Sequence, residues 1–532
     1  MQKDKKLYIV KRYANLNKIN KRRPKMDELL CERVTKDTIK HHFSSLTNLD
    51  AEARDAYPDS FFDTKIESVI TPKLKNDIKK SLSSRKRFVI TTAVTGSELD
   101  TNFHASLKSY CRKNSAALLV LVASDPAHNM DRGSYGYIDS RLSKELIVVE
   151  DLVLNSNLFV STIKLSAKHI DPTIGLDRIG HRDGSFIFAS PKQRLQLIPT
   201  SNVKLPHALM TTGAVTKPNY KTSHYMSERT AYIADADHVM GAIIVEIVDD
   251  STYHYRQVQA GVNGSFVDLG TRYNSDGSKQ REKPAAVVLG DWHSGSTDPQ
   301  VYAATIDILT ALKPANLVLH DAFDGAAINH HEEFNLISKA IDAKNSAPSL
   351  QEELVKLKED LETLSDYVSK IVIVKSNHDE FLSKHYLQKG KYVQDPQNHY
   401  FSLDLAKAMI EGKDPLQFAL EVKLNLATSS KIKWLQRDED FKVANVQLGA
   451  HGDKGPNGSR GSLKAMHKAY GDSVTGHSHT PGIWHGAWSV GTSSKLKLSY
   501  NQGPSSWMHT HCLVYEDGSR QLINIINSSW KL

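Results

Sequence analysis

The stretch AVVLGDWHS (residues 286–294) sets the pattern from which the fold of this chain can be predicted. Its four apolar residues predict a buried strand that ends at Gly290, and Asp291 and His293 follow immediately. Side chains two residues apart in an extended segment face the same side, so these two can bind one ion together. A carboxylate and an imidazole at the end of a buried strand therefore predict part of a metal site.

Four later segments repeat this arrangement and place Asp, Asn or His directly after an apolar run. They are LVLHDAFDG (317–325), IVIVKSNHDE (371–380), VQLGAHGD (446–453) and DSVTGHSHT (472–480). A lone His after a strand is usually a turn or capping residue, but five such accidents in one order are improbable. Parallel-sheet enzymes place ligands at the carboxyl ends of strands, where all five motifs fall. We therefore predict one shared site for two divalent ions. Its candidate ligands are Asp291, His293, Asp321, Asn377, His451, His477 and His479.

Several side chains in these motifs suggest individual roles. Asp321 has two carboxylate oxygens and can bridge both ions, while Asp324 can orient a ligand from behind. His477 and His479 share one face of the chain and can reach different ions.

The segment SNHDE (376–380) supplies a neutral ligand and a candidate catalytic pair. Asn377 offers an amide oxygen to the second ion. Asp379 can fix the tautomer of His378 and raise its basicity.

These residues resemble the calcineurin-like metallophosphoesterase superfamily, whose pattern is D-x-H, G-D-x-x-D, G-N-H-[DE], G-H and G-H-x-H. The resemblance covers about residues 285–495, a little under half of the chain. It implies an α/β fold, namely a four-layer α/β/β/α sandwich of two sheets flanked by helices. Two positions depart from the pattern, since His320 and Ser376 stand where the family has Gly. Neither position is a ligand, so the implied site is retained.

The resemblance also divides the ligands between two ions. The first ion would be held by Asp291, His293, Asp321 and His479. The second would be held by Asp321, Asn377, His451 and His477. The ions would clamp the phosphate oxygens and activate a water as hydroxide, while His378 protonates the leaving group or positions the phosphate. We expect Mn²⁺, although Mg²⁺, Fe²⁺ and Zn²⁺ tolerate the same ligands.

The 532 residues predict more than one structural region. Residues 1–84 hold a basic arm and short helices, and residues 85–270 predict a separate α/β domain that opens with a strand–helix–strand unit. The polar segment 271–284 lacks periodicity and predicts a linker to the metallophosphoesterase domain, residues 285–532. Within that domain, a leucine stripe in residues 349–370 predicts a helix that packs on its own sheet rather than in an intermolecular coiled coil. Self-association of the chain stays open.

Positive charge is concentrated at the N-terminus. The net charge is +8, and residues 1–25 contain ten Lys or Arg against one Asp, a local charge of +9, so the rest sums to about −1. Such an arm suits a polyanion such as nucleic acid, but a disordered solubilising tail explains it equally well.

Composition excludes some classes of protein. Apolar residues make up 40% of the chain, but no apolar run approaches the roughly 18 residues that span a membrane. The charged N-terminus lacks the apolar segment of a secretory signal. The three cysteines, Cys31, Cys111 and Cys512, are far apart and predict reduced thiols in a cytoplasmic protein.

The loop HGDKGPNGSRGS (451–462) follows a candidate ligand and carries Lys454 and Arg460. Glycine amides and these two cations can hold a second phosphate, although an ordinary surface loop is the alternative. This loop and the N-terminal α/β unit are similar to tailed-phage calcineurin-like proteins, which are often labelled DNA repair exonucleases and distantly resemble SbcD-type nucleases. The resemblance implies a DNA nuclease in the host bacterial cytoplasm. A phosphomonoesterase or cyclic-nucleotide phosphodiesterase, and a non-catalytic scaffold, are the two alternatives.

Overall fold

The computed structural model describes residues 2–20, 24–124, 135–201, 205–220, 228–329, 335, 337, 340–341, 344–498 and 501–532. The chain has a mixed α/β structure, with five sheets among these residues. None of the helices in this part of the chain is both long and apolar enough to cross a membrane. The described helices are α1 (Gln2–Asn20), α2 (Met26–Leu29), α3 (Lys36–Phe43), α4 (Leu46–Ala56), α5 (Ile66–Val69), α6 (Pro72–Ser84), α7 (Thr101–Lys113), α8 (Asp177–Asp183), α9 (Glu228–Ala236), α10 (Pro299–Leu312), α11 (Leu350–Ser365), α12 (His399–Ile410), α13 (Pro415–Phe418) and α14 (Leu463–Tyr470).

A six-stranded sheet carries the first three motifs. Its order is β19 (Ile432–Leu435), β18 (Lys370–Val374), β17 (Asn316–Leu319), β16 (Ala286–Val288), β25 (Thr510–Val514) and β26 (Arg520–Asn524). Strands β16 to β19 are parallel, and β25 and β26 form an antiparallel hairpin at one side. Because parallel strands end at the same edge, Asp291, Asp321 and Asn377 meet there.

A ten-stranded sheet carries the other two motifs. Its order is β20 (Lys442–Val443), β21 (Val446–Gln447), β22 (Ser473–Thr475), β24 (Ala487–Ser489), β23 (Gly482–Trp484), β9 (Gln193–Ile198), β10 (His207–Thr212), β8 (Ser185–Phe188), β7 (Leu158–Ser161) and β6 (Leu152–Asn155). His451 follows β21, and His477 and His479 follow the parallel strand β22. The second group of candidate ligands therefore also lies beyond the ends of parallel strands.

The six- and ten-stranded sheets share one apolar core. Val288 and Val318 of the six-stranded sheet belong to the same buried cluster as Val446, Val474 and Trp488 of the ten-stranded sheet. This burial brings the two sheets face to face and their ligand-bearing edges together.

Helices cover the other face of the six-stranded sheet. The leucines of α11, Leu350, Leu354, Leu357, Leu361 and Leu364, are all fully buried. They join a core with side chains of α10 and of strands β16 to β18. The prediction that the leucine stripe packs on its own sheet is confirmed.

The smaller sheets lie in the N-terminal half. A five-stranded sheet has the order β12 (Tyr253–Gln259), β11 (Gly241–Ile247), β2 (Arg87–Val94), β3 (Ala117–Ala123) and β5 (Leu146–Ile147). Its parallel pair β2 and β3, joined by α7, confirms the predicted strand–helix–strand unit. A three-stranded sheet contains β13 (Phe266–Asp268), β14 (Thr271–Tyr273) and β15 (Lys279–Arg281), and a two-stranded sheet contains β1 (Asp63–Lys65) and β4 (Tyr137–Asp139).

The structure differs from the predicted division into domains. Strand β9 of the N-terminal half pairs with β23 of the C-terminal half, so the ten-stranded sheet crosses the predicted boundary. The segment 271–284, predicted as a linker, contributes the antiparallel strands β14 and β15. Strands β14 and β15 have three residues each, which is too short to show an alternating apolar pattern in the sequence. The polar composition of the segment therefore predicted a linker where the chain forms strands.

The N-terminal arm forms a packed helix, whereas one of the two interpretations of the sequence was a disordered tail. Helix α1 buries Ile9, Val10 and Tyr13 in a small core with α3 and α4, and the Tyr13 hydroxyl donates to Asp50 Oδ1 at 2.9 Å. A disordered tail is therefore wrong for residues 2–20. Several lysines of α1 remain exposed, while Lys21, Arg22 and Arg23 lie outside the described residues.

Candidate metal centre

Four of the predicted ligands form a buried cluster. One ligand atom from each of Asp291, His293, Asp321 and His479 lies within 4.8 Å of all the others. The Nε2 atoms of His293 and His479 are 3.0 Å apart, and His479 Nε2 lies 3.2 Å from Asp291 Oδ2. His293 Nε2 is 3.6 Å from Asp321 Oδ2. The structure thus brings together the four side chains that the resemblance assigns to one ion.

A second group of ligands adjoins Asp321. His451 Nε2 lies 3.3 Å from Asp321 Oδ2 and 3.1 Å from Asn377 Oδ1. The ring of His477 is 5.2 Å from that of His451, and the His477 backbone N–H donates to Asp291 Oδ2 at 2.6 Å. Asp321 therefore lies between the two groups, as expected for a carboxylate that bridges two ions.

The spacing of these atoms suits divalent cations. Two donor atoms about 2.1 Å from one cation lie about 3.0 Å apart when the bond angle is near 90°. The short distances between neighbouring donor atoms at this site run from 3.0 to 3.6 Å. In addition, Asp291 Oδ1 and Asp321 Oδ1 are buried and have no hydrogen-bond partner among the described residues. A buried carboxylate oxygen is costly unless a cation or donor compensates it, so the residues present fit a metal pair.

The backbone at the centre is strained. His293, Asp321, His477 and His479 have φ angles of 49°, 43°, 70° and 54°, in the left-handed region that side chains other than glycine rarely adopt. Each such residue costs about 1 kcal/mol or more, and such strain is concentrated at functional sites. Close packing adds a further constraint, because a Cβ on Gly476 would lie 2.0 Å from Asp291 Oδ1. Only glycine fits that position.

The charges of the cluster compensate one another. Burial alone would lower the pKa of His293, but the hydrogen bond to Asp324 and the charge of Asp321 raise it to about 9. Burial would also lower the pKa of His451, but the charge of Asp321 and the hydrogen bond to it raise this pKa to about 9. The pKa of Asp321 is held well below its usual value because His451 and other imidazoles offset its burial. Without metal, protons on the imidazoles thus supply the positive charge that cations would supply.

Asp324 holds the candidate ligand His293 from behind, as the sequence suggested it could. His293 Nδ1–H donates to Asp324 Oδ1 at 3.0 Å, and Ser296 Oγ–H donates to Asp324 Oδ2 at 2.6 Å. The first bond leaves His293 Nε2 to face the other ligands. Ser296 was not predicted, because a serine three residues beyond a ligand carries no recognisable pattern.

Replacing Asp324 by Asn is expected to weaken Mn²⁺ binding by roughly 10- to 100-fold, the usual effect of losing a carboxylate behind a histidine ligand. The amide keeps the shape but removes the charge that orients His293. Calorimetric titration with Mn²⁺ measures the change. Asp298→Asn is the matched control, since Asp298 caps α10 and Asn is an equally good cap. Equal affinities of the two variants would contradict the role of Asp324.

Asp379 does not have its predicted contact with His378. Its Oδ2 accepts the backbone N–H of Ser376 at 3.1 Å and its Oδ1 that of Phe323 at 3.4 Å, while burial raises its pKa. His378 Nδ1–H instead donates to the backbone carbonyl of Asp324 at 2.8 Å. The turn at Ser376 directs Asp379 inward, so neighbours in sequence are separated in space. Asp379 is a structural residue of the loop, and Asp324 fixes the tautomer of His378.

Lys454 and Arg460 are exposed, and their backbones pair in a short bridge that closes the glycine loop. Lys454 Nζ lies 3.8 Å from Glu380 Oε2. Arg437, which the sequence did not single out, binds Glu380 through two 3.0 Å bonds and Asp453 through one of 2.7 Å. These contacts anchor the loop to the SNHDE segment. Binding of a second phosphate by Lys454 and Arg460 stays a prediction.

His320, one of the two departures from the family pattern, is fully buried beside the centre. Its ring stacks on His451, with 5.6 Å between centroids. Burial, with the nearby charge of His451, lowers the pKa of His320 to about 4, so it is neutral at physiological pH. His320 therefore packs against the candidate ligand His451 without adding charge.

Glu353 of α11 gives the fold a dependence on pH. It is 7% exposed and accepts the backbone N–H of Ala327 at 3.0 Å. Burial, aided by the charge of Asp324, raises its pKa to about 8 from 4.5. The folded chain therefore keeps a proton that the unfolded chain loses. This group's contribution to stability is fully present below about pH 4.5 and falls as the pH rises to about 8.

Glu353→Gln is expected to remove this dependence and to stabilise the fold near pH 8 by about 4 kcal/mol. At pH 5, where folded Glu353 is protonated and the unfolded carboxyl is only partly ionised, the difference should fall below about 1 kcal/mol. Thermal unfolding in EDTA at the two pH values measures the difference. Glu359→Gln, an exposed position of the same helix, is the control. A variant with the same pH profile as the original chain would show that Glu353 is ionised in the fold.

Comparison with known proteins gives one informative likeness. The chain is 26% identical over 562 residues to "Protein A1" of Escherichia phage T5, and the alignment covers 99% of each chain. No protein-family model matches, and no solved structure matches significantly. The relative is a phage protein of the same overall extent, and its name states no activity.

Proposed function

We propose that the chain is a two-metal-dependent phosphodiesterase of the calcineurin-like type, and that its substrate is DNA. The observation that carries this proposal is the position of Asp321. One of its oxygens lies 3.6 Å from His293 Nε2 and 3.3 Å from His451 Nε2, between two buried sets of ligands. A bridging carboxylate flanked by imidazoles is the arrangement that a two-metal hydrolase requires.

The architecture supports the same proposal. The six- and ten-stranded sheets pack face to face, and α10 and α11 cover the outer face of the first. This arrangement agrees with an α/β/β/α sandwich in which both sheets contribute ligands at one edge. The five motifs supply ligands in the order that the family pattern implies.

When bound, two divalent cations supply charge that stabilises the phosphate and lowers the pKa of a water. The chain itself supplies the proton for the leaving group. Because His378 Nδ1–H is held by the carbonyl of Asp324, the imidazolium form has its second proton on Nε2. Donation from Nε2 leaves a neutral tautomer that keeps the same hydrogen bond. His378 packs against Phe381, with 4.6 Å between ring centroids, which limits its rotation.

DNA is the proposed substrate for two reasons. The relative is a phage protein that aligns over 99% of its length, which agrees with action inside a bacterial host, where DNA is an available substrate. Helix α1 also presents exposed cations, including Lys5, Lys11 and Lys18. A small-molecule phosphomonoesterase or cyclic-nucleotide phosphodiesterase would use the same metal centre, so an assay must separate the two.

The assay compares substrates in the presence of Mn²⁺. Purified protein is incubated with plasmid DNA, linear DNA, bis-(p-nitrophenyl) phosphate and p-nitrophenyl phosphate, each with and without EDTA. DNA cleavage that EDTA abolishes supports the proposal. Ester turnover with intact DNA favours the small-molecule alternative, and normal metal loading without any turnover favours a scaffold.

Exposed lysines of α1 provide a separate test of DNA binding. If they contact phosphates, replacing all three by Gln should reduce the slope of log K against log salt by about 0.9 per lost contact. Substitution is preferable to deletion, because α1 belongs to a packed core. An unchanged slope would show that α1 does not bind DNA. The test residues are Lys5, Lys11 and Lys18, and the control residues are Lys73, Lys79 and Lys80 on α6.

A further inference from the structure

A pocket adjoins the candidate metal centre and extends to the junction of β9 and β23. Its volume is about 470 Å³, and its walls include the ligand His477 together with Arg194, Lys464 and Trp484. Pockets that bind small ligands typically measure roughly 300 to 1,000 Å³. We call it the β9–β23 pocket. A molecule bound there would lie directly beside the metal ligands.

The pocket is cationic and aromatic. The guanidinium carbon of Arg194 lies 4.6 Å from the centre of the Trp484 ring, and Lys464 Nζ lies 4.4 Å from it. An indole bordered by two cations suits a ligand that combines a flat ring with negative charge. Lys464 is exposed, so its side chain can move to admit such a ligand.

One donor of Arg194 lacks an acceptor within the described ranges of the chain. The residue is 1% exposed, and its Nη atoms donate to the carbonyls of Gln193 at 2.9 Å and Ile170 at 3.1 Å and lie 2.8 Å from the ring of His485. Its Nε is buried and has no partner among the residues that the structure describes. A buried donor without a partner destabilises the fold, and an acceptor in the pocket would offset that cost.

Helix α14 adds an electrostatic preference for anions at the same wall. Ser462 caps this eight-residue helix by accepting the backbone N–H of Ala465 at 3.2 Å, and Lys464 lies in the first turn. The N-terminus of a helix carries a partial positive charge and attracts phosphate. Together with the unpartnered Arg194 donor, it marks a phosphate-sized anion as the missing group.

The opposite wall contains one carboxylate, that of Asp171, among neutral polar side chains. Thr173 Oγ1 donates to Asp171 Oδ1 at 2.7 Å and lies 3.2 Å from Gln196 Oε1. Donors and acceptors fixed in this way can orient the edge of a heterocyclic base. The walls of one pocket thus contain separate features for a phosphate, a flat ring and a polar edge.

We propose that the β9–β23 pocket binds one nucleotide of the substrate, with its phosphate near Lys464 and the start of α14 and its base against Trp484. This inference rests on the proposed function, because the pocket would present a nucleic acid to the metal centre. It also gives the N-terminal half a role, since Arg194 on β9 and the wall that contains Thr173 complete a site whose remaining walls come from the C-terminal half.

Binding of thymidine 5′-monophosphate to the Mn²⁺-loaded full chain tests the inference, with thymidine and inorganic phosphate measured in parallel. We expect Lys464→Ala and Trp484→Leu each to raise the Kd for the nucleotide about tenfold, as loss of one charged contact or one stacked base does. Lys468→Ala, an exposed position on the same helix, should change it less than twofold. Thymidine and phosphate alone should each bind more weakly than the nucleotide.

Hydrolysis of two esters separates this inference from the proposed function. In Lys464→Ala, the ratio of kcat/KM for thymidine 5′-(p-nitrophenyl phosphate) to that for bis-(p-nitrophenyl) phosphate should fall about tenfold, like the affinity. Nucleotide binding with these mutational effects but no hydrolysis would overturn the proposed function and leave the pocket assigned. Hydrolysis without nucleotide binding, or phosphate binding as tightly as the nucleotide, would overturn the pocket alone.

Discussion

Replacing Asp321 by Asn is expected to reduce the bound metal from about two ions per chain to fewer than one and to lower phosphodiester hydrolysis by at least about 10³-fold. The reason is that both sets of ligands meet at this carboxylate, so its loss affects both ions. The amide is nearly isosteric, and the folded structure should persist. Elemental analysis of the purified variant measures the metal, and bis-(p-nitrophenyl) phosphate measures the activity.

Asp139→Asn is the matched control for that variant. Asp139 is 1% exposed and paired with Arg141 at 2.6 Å, so the substitution also perturbs a buried carboxylate. It lies on β4, outside the metal centre, and should leave the metal content unchanged. If Asp321→Asn kept two ions and full activity, the two-metal interpretation would have to be abandoned.

The second large effect is expected at His378. His378→Ala should keep normal metal content, because His378 is not among the predicted ligands and its ring is held by Phe381 and the Asp324 carbonyl. Loss of a general acid typically lowers the rate by about 10²- to 10⁴-fold. That loss should appear with a thymidine dinucleotide, whose alkoxide leaving group needs a proton. With bis-(p-nitrophenyl) phosphate the loss should be much smaller, because nitrophenolate leaves without protonation.

The comparison of leaving groups makes this prediction specific. An equal loss on both substrates would mean that His378 positions the phosphate and donates no proton. Undiminished activity on both would remove it from the mechanism. His399→Ala is the control, since His399 stacks on Tyr392 at 6.0 Å and contacts no candidate ligand in the described part of the chain.

The candidate site was more predictable from sequence than the division of the chain. Each group of candidate ligands lies just beyond an apolar run, and a short strand such as Asn316–Leu319, whose last three residues are buried, leaves a clear local signal. The structure therefore confirms that these side chains converge. The pairing of β9 with β23 joins residues almost 300 positions apart, for example Leu195 and Ile483, and no local pattern encodes such a pairing.

The contact of Asp379 with His378 and the disorder of the N-terminal arm were wrong for a different reason. Asp379 is adjacent to His378 in sequence, but a tight turn separates their side chains, and the distant Asp324 makes the contact instead. Helix α1 is rich in lysine, and the few apolar residues that it buries, among them Ile9, Val10 and Tyr13, leave only a weak helical pattern in the sequence. In both cases the direction of a side chain decides the contact, and neither composition nor adjacency reports that direction.

The pairing of β9 with β23 also determines whether either half of this chain can fold when it is expressed alone. Cutting the gene near residue 284 would leave β23 as a bare sheet edge and would strip Leu195 and Leu197 from the common core. Unpaired edges of this kind promote aggregation. A C-terminal fragment should therefore be insoluble when expressed alone, whereas co-expression of both halves should rescue it. The same constraint would disfavour the loss of either half during evolution. This agrees with a phage relative whose alignment covers 99% of each chain.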